Sequence, residues 1–397
     1  MARPLRICQY FGALRPDQGT NLLPNQGGVA RAVIDLSEAL RRAGHEVSVL
    51  RSGPRPAITM RSEAAGRALM LETSLPAGGL LSRRGLQAAQ LALEGADALH
   101  LHEVWDPGCL QLARLARQID VPYVMSCHGS LDDYSMGRGT LKKRTYLALA
   151  GRRMLQRAAA VHCPAAAERR QSMKWYPKGR PVVVPLLMDL AAFVELPGDG
   201  PAIALLPALD HDLPRLLVLG RIHEKKGIER LIDAATDLAQ DGMVCSTVVA
   251  GPGDPEYVAS LRRRAVSRGI GNHVAFPGPV SGTTKVSLFQ WADLFVLPTH
   301  EENWGIVLFE ALAAGTPVVT TRGVDVWQEL EQTGAATLIG AGPGELTTTM
   351  RRLLLDRGEL RQVGAAARPK VLQQHSREQA VGRYIDLYRD LARDTTA

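Results

Sequence analysis

No uninterrupted run of about 18 apolar residues occurs in the chain, so no membrane-spanning helix is expected. The opening segment Met1–Tyr10 lacks the apolar stretch of a signal peptide. No two of the five cysteines (Cys8, Cys109, Cys127, Cys163 and Cys245) form a CxxC pair, and most lie in apolar, strand-like runs. A reduced thiol in such a run acts as a small hydrophobe. These shortages favour a cytosolic chain. Repeats and low-complexity tracts are missing as well. There is no G-x4-G-K-[ST] phosphate loop, and no G-x-G-x-x-G follows the first strand, which sets aside a nicotinamide oxidoreductase.

What is present is ordinary for a soluble globular protein. A length of 397 residues suits about two domains. A hydrophobic share of 46% and a charged share of 22% argue against disordered and fibrous classes. The formal charge is +7. It suits an anionic ligand such as a nucleotide, or an anionic membrane surface, and does not call for nucleic acid.

Short apolar runs alternate with helical periodicity throughout, the pattern of parallel sheets with crossover helices. The first half reads as strands near Arg6–Phe11, Glu46–Leu50, Ala98–Leu101, Pro122–Ser126, Ala159–Cys163 and Val182–Pro185. Helices between them include Val29–Ala43, Gly108–Gln118 and Leu141–Gln156. The stretch 195–214, rich in Pro, Gly and Ala, reads as a linker between an N-terminal domain (1–194) and a C-terminal one (215–375). The second series has strands near Arg215–Leu219, Ser246–Ala250, His273–Phe276, Leu294–Leu297 and Pro317–Thr320. A final helix, within 376–397, puts Val381, Tyr384, Ile385, Tyr388 and Leu391 on one face.

The chemistry-bearing motifs fall just after strands, where ligands bind in open α/β sheets. Gly220-Arg221-Ile222-His223-Glu224-Lys225-Lys226-Gly227 follows a strand and precedes a helix. A glycine, basic side chains and a helix N-terminus together make an anion site; the plainer reading is a solvated basic loop. Glu302 and Glu310 bracket Trp304, Gly305 and Ile306 at the start of an apolar helix. Two acids so spaced can face one ligand at two depths, or serve only as helix-entry carboxylates. Gln26-Gly27-Gly28 heads the first helix, where glycine lets backbone approach a phosphate, though a plain loop reads the same way. His128-Gly129 ends a strand.

Weaker signals are His100-x-His102 beside Glu103, a poor metal set because a third firm ligand is missing and better read as acceptor-pocket lining through His102. Asp210-x-Asp212 lies in the expected linker and reads as solvated charge. Gly251-Pro252-Gly253 and Phe276-Pro277-Gly278-Pro279-Val280 are turns after strands. Arg138, Lys142, Lys143, Arg144, Arg152, Arg153 and Arg157, interleaved with Leu141, Tyr146, Leu147 and Leu149, form either a lipid-facing or a merely solvated basic helix.

The segment from Glu302 to Glu310, continued by Ala314-Gly315-Thr316-Pro317, resembles the E-x7-E signature of family 4 retaining glycosyltransferases, and Arg221 to Gly227 resembles that family's G-R-x(3–4)-K-G. The stretch Cys127–Arg157 resembles the bacterial surface-polysaccharide, lipopolysaccharide-type members. The resemblance covers almost the whole chain, more specifically in its C-terminal half. It implies the GT-B fold, an α/β architecture of two Rossmann-like domains facing across a cleft, with the last helix crossing back to the first domain.

It also implies a metal-independent enzyme without a cofactor, moving a sugar from a nucleotide-diphosphate sugar to a glycan or lipid-linked acceptor. Peripheral contact with the inner membrane face is a further expectation. By the resemblance, Arg221 and Lys226 hold the diphosphate, Glu302 the sugar and Glu310 the ribose. Gly28, Gly251, Val280, Trp304, Gly305 and Ile306 complete the donor site. His128 orients the reacting groups, and His102 lines the acceptor pocket. Trp304 stands where the family more often has Phe, which bears on sugar choice. Transfer to a soluble acceptor of the sucrose or trehalose type, and a non-catalytic nucleotide-binding partner, remain alternatives.

Overall fold

The computed structural model describes residues 3–12, 27–53, 59–62, 66–74, 79–340, 342 and 344–394. It divides into two compact units, one formed by Met1–Met188 with Arg377–Ala397 and the other by Asp189–Ser376. Each is an α/β unit on a mainly parallel sheet, as the alternating pattern implies.

The first sheet contains β1 (Arg6–Phe11), β2 (Glu46–Gly53), β3 (Thr59–Ser62), β4 (Gly66–Glu72), β5 (Ala98–His102), β6 (Tyr123–Ser126), β7 (Ala160–Cys163) and β8 (Pro181–Val183). Their spatial order is β3-β4-β2-β1-β5-β6-β7-β8, with only β3 antiparallel to its neighbour. The strands β3 and β4 escape a periodicity reading because Arg61, Arg67 and Glu72 interrupt their apolar residues. Order reverses beside β1, which pairs with both β2 and β5, so the carboxyl ends of β1 and β5 diverge there.

One face of this sheet changes character along its length. Ile7, Ala98, Val124 and Ala160 occupy its amino-terminal end and are buried. Two residues further along the same strands stand Gln9, His100, Ser126 and His162, also buried. The C-terminal helix Arg377–Asp394 covers this face with Val381, Tyr384, Leu387, Tyr388 and Leu391. Its apolar stripe meets the apolar end, and the hydroxyls of Tyr384 and Tyr388 meet the polar end. The expected return of the last helix to the first domain is thus seen in the packing, and Ile385 is only partly buried.

The second sheet contains β9 (Arg215–Leu219), β10 (Ser246–Ala250), β11 (Val274–Gly278), β12 (Leu294–Leu297), β13 (Val318–Thr321) and β14 (Ala336–Ile339). All pairs are parallel, in the order β11-β10-β9-β12-β13-β14. The short, half-buried edge strand β14 lacks the long apolar run that marks the central strands. Here order reverses between β9 and β12.

Two expectations fail. The stretch 195–214 is no free linker, since Gly200–Leu205 is helical and Ala202, Leu206 and Leu209 are buried in the second unit. The Ala202 N–H donates to Ser287 Oγ at 2.9 Å. The abundance of Pro and Gly hides this apolar set. The long helix Leu141–Gln156 is also interrupted: Thr140–Tyr146 and Arg152–Gln156 flank a π-helical turn, Leu147–Gly151. A Cβ on Gly151 would lie 2.6 Å from the Tyr146 ring, so the side chain packs where only glycine leaves room. All five cysteines are buried thiols outside any disulfide.

Leu391→Ala in the C-terminal helix should destabilise the first unit by about 2–5 kcal/mol, the usual range for a buried Leu truncation. Urea denaturation would check this, and an unchanged midpoint would show that the helix contributes no core.

Candidate active site

In the second unit the reversal of strand order sets two loops side by side, one after β9 and one after β12. They are stitched by backbone: His300 N–H donates to the Lys225 carbonyl at 2.9 Å, and Thr299 Oγ1 donates to the same carbonyl at 2.9 Å. Gly227 turns the first loop with φ 65°, and a Cβ there would lie 2.3 Å from the Pro298 carbonyl oxygen. Only glycine allows so close an approach in that left-handed conformation. Glu302 is pinned from the other side, its N–H donating to the Gly323 carbonyl at 3.0 Å while its carbonyl accepts from Asp325 N–H at 2.8 Å.

As a result Lys226 Nζ donates to Glu302 Oε2. Lys225 lies 3.5 Å from Glu301. Eight residues beyond Glu302, Glu310 takes a 2.6 Å hydrogen bond from Lys285, on the helix Gly282–Trp291. Between the two acids Gly305 adopts φ 61° and opens the helix Ile306–Ala313. Trp304 is buried and stacks on Phe309, ring centroids 5.9 Å apart. Its indole Nε1 has no hydrogen-bond partner among the described residues. Its side chain is therefore a packing element under the loop.

Arg221 is exposed at the lip of a cleft of about 500 Å³, together with Ile222, His223, Glu224, Gly253 and Tyr257. It also shares with Gly220, Lys226 and Ala250 the lining of a smaller recess. Gly251 follows β10 with φ 137°, and a Cβ there would lie 1.8 Å from the Gly220 carbonyl oxygen. Its N–H donates to Gly278 at 2.8 Å, which ties the turn after β11 to the same edge. Val280, half-buried, follows immediately. The expected donor-site residues Arg221, Lys226, Gly251, Val280, Glu302, Trp304, Gly305 and Ile306 thus lie in loops or helix starts beyond the carboxyl ends of this sheet's strands, and Glu310 lies one turn further along the helix Ile306–Ala313.

In the first unit Gly28 lies in the first turn of the helix Gly27–Arg42; Gln26 falls outside the described residues. His128 follows β6 in a left-handed turn, φ 49°, with Gly129 at φ 72°. A non-glycine residue held at positive φ is uncommon and marks a constrained position. His128 Nε2 meets His102 Nδ1 at 2.8 Å, and His102 Nε2 meets Gln9 Oε1 at 2.8 Å. His102 is therefore buried with both nitrogens used inside the protein, which corrects its reading as a lining residue of an acceptor pocket. His100 stacks on it at 4.2 Å, as the i, i+2 spacing on a strand requires, but its nitrogens are taken by Tyr388 and Ser126. Among the described residues no group of His, Cys, Asp and Glu could hold a metal ion.

Two of these residues, one in each unit, carry no motif. Lys285 is a lone base in an apolar helix, and Gln9 a lone amide inside a buried strand. A polar residue interrupting a core strand was the available signal for Gln9, since buried polar groups need partners.

At the amino-terminal end of β6 in the first unit Arg114, Arg117, Arg153 and Arg157 line a cavity of about 250 Å³ with Tyr123 and Leu149. Arg157 is exposed, and partial desolvation with repulsion from Arg117 and Arg153 lowers its guanidinium below its ordinary value. Among the described residues no carboxylate lies within ion-pairing distance of these four. Leu141 and Leu149 stand 79% and 80% exposed on the adjoining helical stretch. Lys143 does not join this surface as expected, because its Nζ donates to the Ser135 carbonyl and lies over the Trp105 ring.

Comparison with known proteins agrees with both halves of this description. Residues 27–186 match the family "Glycosyl transferase 4-like domain", and residues 207–370 match "Glycosyl transferases group 1". The phosphatidyl-myo-inositol mannosyltransferase of Mycolicibacterium smegmatis is 30% identical over 307 residues, 74% of this chain and 72% of that one. Together these show that the chain belongs to the group 1, family 4-like glycosyltransferases. Sucrose-phosphate synthase from Thermosynechococcus elongatus superposes with a TM-score of 0.74 at 20% identity, covering 98% of this chain and 99% of the other. HepE from Anabaena, solved in complex with UDP, gives 0.74 at 15% identity, covering 98% and 100%. These likenesses establish the fold, GT-B with two Rossmann-like units.

Burial holds His100 and His102 well below the ordinary histidine value. It lowers His162 to about 4 and His128 to about 3. Neighbouring imidazoles add to the effect for His100, His102 and His128. In the unfolded chain each ring takes a proton below about pH 6.5, so between that pH and the folded values the unfolded state binds more protons. Stability from these rings is therefore complete above about pH 6.5 and lost on acidification, by roughly 1.4 kcal/mol per histidine per pH unit. Thermal melts from about pH 7.5 to about pH 5 should show Tm falling by several degrees. A flat Tm over that range would contradict the buried neutral cluster.

Proposed function

We propose that the protein is a retaining glycosyltransferase that moves a sugar from a nucleotide-diphosphate sugar to a hydroxyl of a glycan or lipid-linked acceptor, in assembly of a surface polysaccharide or lipopolysaccharide. The observation that carries the donor half is the Lys226–Glu302 ion pair at the strand reversal of the second sheet, with Arg221 lining one recess beside Lys226. No metal is invoked, because Arg221 and Lys226 supply the positive charge. The HepE complex with UDP, on the same fold, supports a nucleotide donor.

In the reaction the bond between the anomeric carbon and the diphosphate oxygen breaks, and its electron pair leaves with the diphosphate. Arg221 and Lys226 take up that negative charge. Lys226 is held on Glu302 beforehand, so its ammonium is already aimed at the loop where the phosphates arrive; preorganised charge of this kind lowers a barrier at little reorganisation cost. Glu302, freed as Lys226 turns to phosphate, accepts hydrogen bonds from sugar hydroxyls. Glu310, oriented by Lys285, does the same for the ribose. The acceptor oxygen bonds to the anomeric carbon on the face the leaving group vacates, and its proton passes to the departing phosphate oxygen.

The acceptor reading rests on two observations. The mannosyltransferase relative is named for a phosphatidyl lipid. The four arginines around the start of β6, with Leu141 and Leu149 exposed nearby, suit an anionic bilayer surface, where each cation contributes about 1 kcal/mol. The enzyme would then work in the cytoplasm at the inner face of the membrane.

Glu302→Ala should reduce transfer by about 100-fold or more while nucleoside diphosphates still shift the melting temperature. Transfer at the unmodified rate would sink the donor reading. For the acceptor half, the protein should float with phosphatidylglycerol vesicles at low salt, and Arg117→Glu combined with Arg157→Glu should abolish this. Equal flotation of both proteins, or none by either, would leave a soluble acceptor as the better reading.

A further inference from the structure

The polar end of the first sheet's buried face contains one continuous chain of hydrogen bonds, and its direction can be worked out. His162 Nε2 lies 2.7 Å from the Val184 carbonyl oxygen, which can only accept, so Nε2 carries the proton. Tyr384 Oη, 3.2 Å from the same nitrogen, is then a second acceptor. Because the ring is neutral, His162 Nδ1 is bare and must accept from Ser126 Oγ, 2.6 Å away. The Ser126 proton is thereby used, and Ser126 Oγ accepts from His100 Nε2 at 2.7 Å.

His100 is then bare at Nδ1 and accepts from Tyr388 Oη at 2.7 Å. Tyr388 Oη, having donated, accepts from Gln9 Nε2 at 3.2 Å, which turns Gln9 Oε1 toward His102. That oxygen accepts from His102 Nε2 at 2.8 Å. His102 Nδ1 is left bare, and accepts from His128 Nε2 at 2.8 Å. No link can be reversed without placing two protons, or none, between one pair of atoms. Neutrality of the four rings follows from their mutual packing and from their bonding, among the described residues, to no carboxylate.

We infer that Gln9, His100, His102, Ser126, His162 and Tyr388 act as positioning residues that hold His128 as the Nε2–H tautomer, with Nδ1 as its unprotonated nitrogen. His128 therefore accepts a hydrogen bond from a substrate hydroxyl and does not donate one to a phosphate oxygen. His128 itself is half-buried and stands in a left-handed turn, whereas the other six side chains are buried. The C-terminal helix, through Tyr388, is thus wired to a ring some 260 residues earlier in the chain (388 − 128 = 260). The hydroxyl part of the inference rests on the reading of His128 as a residue of the transfer site; the tautomer does not.

The test is nitrogen-15 NMR of histidine-labelled protein near neutral pH, in which two-bond couplings separate the tautomers. The expected spectrum shows His128 with Nε2 protonated and Nδ1 bare, in the absence of any substrate. A protonated Nδ1, or an imidazolium, overturns the inference whatever the activity. Tyr388→Phe keeps the ring packing but removes the donor to His100. It should mix the His128 tautomers and lower kcat about tenfold, with KM for the donor changed by less than about twofold. An unmixed His128 signal in the folded variant also overturns the inference, and if that variant does not fold the wild-type spectrum alone decides. A correct tautomer in a protein that transfers no sugar would retain the wiring and sink the proposed function instead.

Discussion

Opposite charges held against each other at a strand reversal dominate the chemistry of the second unit. Lys226 lies on Glu302, and Lys285 on Glu310. Neither pair is a core element; each is partly exposed, where an ion pair adds little to stability. Their value lies in position. A parallel sheet leaves its strand ends pointing one way, and where order reverses the following loops separate and then face each other. Backbone bonds between the two loops close the gap to a hydrogen-bond length. The ion pairs keep cations and acids extended toward the place where an anionic, hydroxyl-rich ligand would be met.

The first unit answers a different constraint. Gln9, Ser126 and three histidines are buried on one sheet face, and such groups are costly unless bonded. Packing a purely apolar helix over them would leave several donors and acceptors stranded. The C-terminal helix instead brings two tyrosines, and Val184 supplies a carbonyl that starts the chain of donors. Stability, tautomer and the geometry at His128 are consequently one problem. The family matches run through both units: the segment matched in the second holds Lys226, Glu302, Lys285 and Glu310, and the segment matched in the first holds His100, His102, Ser126, His128 and His162, with Gln9 and Tyr388 outside it.

Much of the fold was legible. The central strands stand out because burial on both faces demands near-continuous apolar runs, as in Leu216–Leu219 and Leu294–Leu297. The glycines at 220, 227, 251 and 305 marked turns correctly because their left-handed or extended-glycine backbone excludes other residues. Strands β3 and β4 did not stand out because Arg61, Arg67 and Glu72 break up their apolar residues, and the half-buried edge strand β14 has no long apolar run. The helix in the supposed linker was missed because the prolines and glycines scattered through the stretch read as a loop, and only Ala202 of that short helix is buried.

By itself the sequence determined the alternation of strands and helices, the motif positions and the acids and bases available at each strand end, because these depend on local propensity and short spacing. Tertiary structure decided which charges meet. Lys285 with Glu310, Gln9 with Tyr388 and His102 with His128 are pairings between distant segments, and a linear spacing carries no information about them. It also decided that His102 faces inward, since only the packing of the last helix on β5 shows which side of that strand is covered.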